Sequence, residues 1–73
     1  MQYEALIAGA WRAIVRYDTV HGFAHRDILH ADGTETKSTF QNWDYEQALT
    51  YGERDLKQNW VSYRETYEKE LKR

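Results

Sequence analysis

The sequence contains no cysteine and no proline, and it has only four glycines among its 73 residues. The lack of cysteine excludes disulfide bridges and thiolate zinc sites. A chain this short buries only about 60% of the surface that its unfolded form exposes, so small domains often need reinforcement. The routes that remain are oligomerisation, a metal site of histidine and carboxylate ligands, or a well-packed core, to which aromatic residues, 15% of the chain, can contribute.

A strong net charge and a long hydrophobic run are also missing. Ten basic and twelve acidic residues give a formal net charge of −2, which offers no general electrostatic attraction for nucleic acid or an anionic membrane. The longest apolar stretch near the start, residues 5–11, is shorter than a signal-peptide core or a membrane-spanning helix requires. With the absence of cysteine, this predicts a cytoplasmic protein that does not bind membranes.

The N-terminal half has the spacing of short strands. Three glycines divide it into segments of strand length, and we predict strands over residues 3–8, 10–18, 23–30 and 34–40. The first of these is the weakest prediction. In the second segment, apolar and polar residues alternate, which places Trp11, Val15 and Tyr17 on one face of the strand.

A hairpin is predicted between the last two segments. Asp32-Gly33 is typical of a two-residue loop of type I′, because both residues accept a positive φ. A loop of that length would place His25 opposite Phe40 and Asp27 opposite Ser38.

The C-terminal part predicts one helix over residues 45–71. Asp44 can cap its N-terminus, and Gln47 completes a capping box. At 100° per residue, one arc of about 140° is formed by Tyr45, Ala48, Leu49, Gly52, Leu56, Asn59, Trp60, Tyr63, Tyr67 and Leu71. The sequence therefore predicts a single α+β domain over residues 1–73, in which a three- or four-stranded antiparallel meander precedes one long amphipathic helix.

The length of this helix predicts an interface. The helix would run about 40 Å, whereas a nine-residue strand spans only about 30 Å. Its last two turns would then extend beyond the sheet and expose apolar side chains, which usually find a partner. We therefore predict a homodimer, or binding to a cognate protein, through Trp60, Tyr63, Tyr67 and Leu71. The alternatives are a helix that lies obliquely over a long N-terminal strand and a helix that frays near its end.

The residues that could carry chemistry lie close together in the sequence. All three histidines of the chain fall within ten residues, and His25 and Asp27 point to the same side of a strand. With His21 in the preceding turn, these groups could act as acid and base on a phosphodiester, while Arg16 or Arg26 stabilises the anion. We therefore take His21, His25, Asp27 and Arg16 as candidate catalytic residues.

The same residues have two other interpretations. They could bind a divalent metal, although no fourth ligand is evident, and we predict no cofactor and no metal ligands. They could also be structural, with Arg16 and Asp27 forming a cross-strand ion pair. Asn59 is a polar residue on the apolar arc of the helix, and it could meet His25 or Asp27 in a buried hydrogen-bonded network.

Two segments resemble a known family. Arg16-Tyr17-Asp18 with His21, followed by His25-Arg26-Asp27-Ile28, is similar to the pattern of small prokaryotic proteins of the TumE family of toxin–antitoxin components. The resemblance implies a toxin–antitoxin component, and its signature positions here are Arg16, Asp18, His21, His25 and Asp27.

Two functions follow from these observations. The first is a toxin–antitoxin-type component that acts on or binds RNA, although the negative net charge gives nucleic-acid binding little support. The second is a non-catalytic homodimeric module that binds proteins.

Overall fold

The computed structural model describes residues 1–20, 23–40 and 43–72. These residues form four β-strands and one α-helix, namely β1 (Gln2–Ile7), β2 (Ala10–Val20), β3 (Phe23–Leu29), β4 (Glu35–Phe40) and α1 (Tyr45–Leu71). The strands make one antiparallel sheet in the order β1-β2-β3-β4. Within the described residues, no helix combines the length and the apolar character needed to cross a bilayer.

The predicted fold class is confirmed, because a four-stranded meander is followed by one long helix. The helix begins where the capping box predicts. Asp44 accepts a hydrogen bond from the N–H of Gln47 at 2.8 Å, and the Gln47 side chain accepts one from the N–H of Asp44 at 2.9 Å. These two bonds satisfy backbone donors that the first turn of a helix leaves unpaired.

Strand β2 contains a bulge that changes which side chains face the helix. Ile14 has no Cα partner in β1, so the register between the two strands shifts by one residue there. Side chains before and after such a bulge alternate out of step. Val15 and Tyr17 are buried on the side of the helix, whereas Trp11 lies on the other side and is 70% exposed. The prediction that these three residues share one face is therefore wrong.

The hairpin between β3 and β4 has a three-residue loop. The N–H of His30 donates to the carbonyl of Thr34 at 2.8 Å, and the N–H of Gly33 donates to the carbonyl of His30 at 3.0 Å. Gly33 has a φ of 90°, whereas Asp32 has no positive φ. A type I turn followed by one residue with positive φ is the usual geometry of three-residue hairpins.

The extra loop residue shifts the β3–β4 register by one. His25 pairs with Thr39 and Asp27 pairs with Lys37, so the predicted pairs with Phe40 and Ser38 are wrong. A shift of one residue moves every side chain of a strand to the opposite face.

The helix packs mainly on β2 and also on β1. Strand β2 has 11 residues, which span about 36 Å, so it nearly matches the helix. Tyr67 is only 8% exposed, and Tyr63 and Leu71 pack against the core. The predicted extension of the last two turns beyond the sheet is therefore wrong. The core is formed by Ala5, Ile7, Ile14, Val15, Tyr17 and Tyr67.

The helix packs closely against the Tyr17 ring of the sheet at Gly52. A Cβ atom at this position would lie 3.2 Å from Cγ of Tyr17 and 2.3 Å from Cε of Met1. The methionine side chain is flexible, but the tyrosine ring is fixed at its other end by a hydrogen bond to Asp55. The close contact with Tyr17 explains why glycine occupies a mid-helix position.

We predict that Gly52→Ala lowers the free energy of unfolding by about 1 kcal/mol, in the range of overpacked sites, although alanine alone favours a helix by a similar amount. The reason is that the Tyr17 ring cannot move away. Chemical denaturation measures the change. Gln58→Ala, on the exposed side of α1, is the matched control and should stabilise slightly or have no effect. A Gly52→Ala protein more stable than the wild type would contradict this packing.

Candidate functional site

The sheet has one face covered by α1 and one that no described element covers, which we call the open face. Its side chains follow from strand alternation, starting from residues whose contacts with the helix are known. The open face is formed by Gln2, Glu4 and Leu6 of β1, Trp11, Ala13, Arg16 and Asp18 of β2, Phe23, His25, Asp27 and Leu29 of β3, and Glu35, Lys37 and Thr39 of β4.

An ion-pair row crosses the middle of the open face. Arg16, Asp27 and Lys37 are directly opposite one another on three neighbouring strands. Nη2 of Arg16 lies 3.2 Å from Oδ2 of Asp27, and Nζ of Lys37 lies 3.8 Å from Oδ1. The same Arg16 atom lies 3.5 Å from Glu35. Asp27 is only 5% exposed, whereas its two cations remain accessible to solvent.

Three of the four candidate catalytic residues therefore lie on one face. Arg16 and Asp27 form the cross-strand ion pair that was the structural alternative. His25 lies beside them, opposite Asp18 and Thr39, and its Nδ1 is 3.5 Å from the Thr39 hydroxyl. The fourth candidate, His21, lies outside the described residues.

The predicted network of Asn59 with His25 or Asp27 is wrong. Side chains alternate along β3, and Arg26 points towards the helix. His25 and Asp27, on either side of it, therefore point away from the helix. Asn59 donates instead to Oδ1 of Asp55, one turn earlier in α1, at 2.9 Å.

The densest polar group of the described residues lies between the sheet and the helix, around Asp55. We call it the Asp55 cluster, and it consists of Tyr17, Arg26, Ser38, Tyr51, Asp55, Asn59 and Tyr63. The hydroxyl groups of Tyr17 and Tyr63 both donate to Oδ2 of Asp55, the latter at 2.6 Å. Arg26 connects the cluster to the sheet.

The Arg26 guanidinium contacts both layers. Its Nη1 donates to the Tyr51 hydroxyl at 3.0 Å and to the Tyr63 hydroxyl at 3.4 Å, and it lies 3.5 Å from Asp55. Nη2 donates to the hydroxyl of Ser38 at 3.5 Å. The guanidinium carbon is also about 6 Å from the ring centres of Phe40 and Tyr51, within the range of cation–π attraction.

Burial and hydrogen bonding oppose each other at Asp55. Burial acts to raise the pKa of this carboxyl group, but the hydrogen bonds from Tyr17, Tyr63 and Asn59 and the charge of Arg26 hold the pKa below its ordinary value. The pKa values of Tyr17 and Tyr63 are shifted in the opposite direction. Burial and the hydrogen bond to Asp55 raise the pKa of Tyr63 to about 12 and raise the pKa of Tyr17 further. The cluster is thus a carboxylate with neutral phenol donors.

Sequence reasoning missed Asp55 as a functional or structural centre. Asp55, Asn59 and Tyr63 follow one another at intervals of four residues, which places them on one side of a helix. An acidic residue in this row, beside a polar Asn59 on the apolar arc, was the available signal. The partner on the sheet could not be identified without the strand register.

The predicted interface residues do not form one surface. Trp60 is about half exposed, whereas Tyr67 belongs to the core. At the same end of α1, Glu70 accepts hydrogen bonds from the β3–β4 hairpin, with 2.7 Å between its Oε2 and Nδ1 of His30. The exposed large apolar residues are instead Met1, Leu6, Trp11, Phe23, Tyr45, Trp60 and Val61.

The part of the chain that the structure describes contains no candidate metal site. No group of three or more histidine, aspartate or glutamate side chains is arranged there to hold an ion. This says nothing of His21, which is outside that part.

One known protein family matches the chain. Its model, described as a domain of unknown function (DUF7718), matches residues 1–73. No curated protein and no solved structure matches. The resemblance to TumE-type components therefore stays a prediction.

We predict that Asp55→Asn lowers the free energy of unfolding at neutral pH by about 2–3 kcal/mol, the range for hydrogen bonds to a charged group. The amide offers one acceptor oxygen where the carboxylate offers two. Because the pKa of Asp55 is lower in the folded than in the unfolded chain, its stabilisation is present above about pH 4 and is lost as the pH falls through the folded-state value.

Denaturant titrations at several pH values measure both effects. Asp18→Asn, an exposed aspartate on β2, is the control and should change stability by less than about 0.5 kcal/mol. An Asp55→Asn protein with wild-type stability and the same loss of stability in acid would show that the cluster does not hold the fold.

Tyr63 should make the stability of the protein depend on pH in the alkaline range. Its pKa of about 12 in the folded state exceeds the unfolded value of about 10. Its stabilisation is therefore complete below about pH 10 and is lost as the pH rises towards 12. We predict a shallower alkaline loss of stability for Tyr63→Phe than for the wild type, with phenolate absorbance as the second readout. Tyr45→Phe, at an exposed ring, should keep the wild-type profile; equal slopes for all three proteins would contradict the assignment.

Proposed function

We propose that this chain, which belongs to the DUF7718 family of domains of unknown function, is a non-catalytic protein-binding module whose partner docks on the open face. The observation that carries this proposal is the exposure of large apolar side chains around the ion-pair row. A sheet face without a second layer is where a two-layer domain can still bury surface.

Exposed apolar side chains lie at two ends of the open face. Leu6 and Trp11 are directly opposite each other on β1 and β2, with exposed fractions of 49% and 70%. Phe23 is exposed at the start of β3. Tryptophan is enriched among the residues that contribute most to protein–protein binding, and paired exposed side chains present more apolar area than scattered ones.

The polar middle of the face fits a protein better than a nucleic acid. The open face has two basic residues, Arg16 and Lys37, against four acidic ones, Glu4, Asp18, Asp27 and Glu35. A surface with an acidic excess gains little from phosphate contacts. A protein surface can instead offer both signs of charge to the mixed row.

The ion pairs also argue against chemistry at this face. Asp27 has an Arg16 nitrogen on one oxygen and the Lys37 ammonium near the other, and it is almost fully covered. A general base must come within hydrogen-bond distance of the proton that it takes from its substrate. The row thus supports a structural and recognition role for Arg16 and Asp27.

The second candidate is a toxin–antitoxin-type component that acts on RNA, in the cytoplasm as the first candidate would. The observation in its favour is that Arg16, Asp18, His25 and Asp27, four of the five positions of the TumE-like pattern, share the open face. The two candidates differ in the class of molecule that contacts Trp11.

Site-specific photo-crosslinking in the native host tests the proposal. A benzophenone amino acid replaces Trp11 or Phe23 on the open face, and the same amino acid at Trp60, which is about half exposed on α1, is the matched control. We expect a discrete protein adduct at positions 11 and 23, at least several-fold stronger than at position 60. Arg16→Glu should weaken the adduct, because it reverses a charge at the centre of the face.

Two results would overturn the proposal. Adducts of equal strength at all three positions would show that no surface is preferred. Adducts of position 11 that contain RNA and no protein would favour the second candidate.

A further inference from the structure

We infer that the free edge of β4 pairs with the β4 edge of a second copy of this chain, which joins two sheets into one of eight strands. This self-association goes beyond the proposed docking on the open face and does not depend on it. A sheet edge presents unpaired backbone groups, and proteins usually cover or block such edges. The two edges of this sheet differ in this respect.

The β1 edge is partly capped by the helix. The helix packs over β1 and β2, and Nη2 of Arg64 donates to the carbonyl of Leu6 at 3.3 Å. Strand β4 is two strands away from β2, which carries most of the contacts with the helix. Its residues Glu35, Thr36, Lys37 and Thr39 are exposed. No hydrogen bond from another described residue covers the β4 edge.

The strand register identifies which backbone groups point outward. The bond from His30 to Thr34 makes these two residues a hydrogen-bonded pair. Hydrogen-bonded and non-hydrogen-bonded pairs alternate along an antiparallel ladder. Thr36 and Ser38 therefore bond towards β3, whereas the N–H and C=O groups of Glu35, Lys37 and Thr39 point to the free edge.

Charge selects one register for two copies related by a two-fold axis. An axis at Glu35 or at Lys37 would place identical charges directly opposite each other, which is unfavourable. An axis at Thr36 places Glu35 of each copy opposite Lys37 of the other. It also places Thr36 opposite its own counterpart and Thr34 opposite Ser38, and threonine and serine pairs of this kind are favourable.

This register continues the pattern within the chain. Along the open face, Arg16, Asp27 and Lys37 already alternate in sign across three strands, and Glu35 of the second copy adds the next negative charge. The outward groups of Glu35 and Lys37 would form about four backbone hydrogen bonds with the second copy.

The helices leave room for the second copy. Each helix lies mainly over β2, about 12 Å from the proposed axis at a strand spacing of 4.8 Å. Two helices would then be about 24 Å apart, about twice the diameter of a helix with its side chains. Because the contact is a strand edge, we expect a weak, concentration-dependent dimer.

Sedimentation velocity across a concentration series from about 1 µM to 1 mM, the range for weak association, tests the inference. We expect the wild type to dimerise and Glu35→Lys and Lys37→Glu each to raise the dissociation constant at least about tenfold, because each variant places like charges opposite each other. An equimolar mixture of the two variants restores the opposite charges at both positions, and it should form a heterodimer about as tightly as the wild type forms its homodimer.

The control is Glu4→Lys, which makes the same charge change on β1 at the opposite edge of the sheet and should leave dimerisation unchanged. Thermal melting shows that each variant is folded. A wild type that stays monomeric throughout the series would overturn the inference, as would single variants that dimerise normally or a mixture that fails to restore association. A dimer lost in Trp11→Ala but kept in Lys37→Glu would assign self-association to the open face instead.

Discussion

The rest of this structure depends on the hydrogen bonds that the buried carboxylate of Asp55 accepts. It lies in the middle of α1 and binds donors from both layers, Tyr17 on the sheet and Tyr63 on the helix. A charged group in such a position is unfavourable unless it is fully hydrogen-bonded. Its position therefore fixes the helix against β2 in rotation and in translation, and Gly52, one turn earlier, permits the close approach that this requires.

The Asp55 cluster also determines which chemistry the open face can present. Arg26 must point to the helix to meet Asp55, and strand alternation then directs His25 and Asp27 outward. The ion pairs of Asp27 with Arg16 and Lys37 follow from this parity, because those cations lie directly opposite it. His25 and Asp27, two of the candidate catalytic residues, are in this arrangement on the outward side of β3, whose inward residue Arg26 stabilises the fold.

The limits of sequence reasoning follow from the same elements. Periodicity and the capping box predicted every strand and the helix, since these signals are local. The Ile14 bulge and the three-residue hairpin loop each move a register by one residue, and neither has a unique local signal. An Asp-Gly pair suits two- and three-residue loops alike. The Asp55 cluster joins residues of β2, β3, β4 and α1, so it could not be predicted before these registers were known.

The helix covers the sheet unequally, and this asymmetry locates the surfaces available for binding. The helix α1 lies on β2 and β1. Near the end of β4, the helix side of the sheet is instead shielded by the aromatic rings of Phe40, Trp43 and Tyr51. The ring centres of Phe40 and Trp43 are stacked 4.6 Å apart. The β4 edge itself receives no such cover from the described residues. Four strands at 4.8 Å span only about 19 Å, which is narrow for an interface of about 800 Å² per partner. A sheet continued through β4, as we propose, would double that width, so the proposed edge pairing would also enlarge the face that we propose for docking.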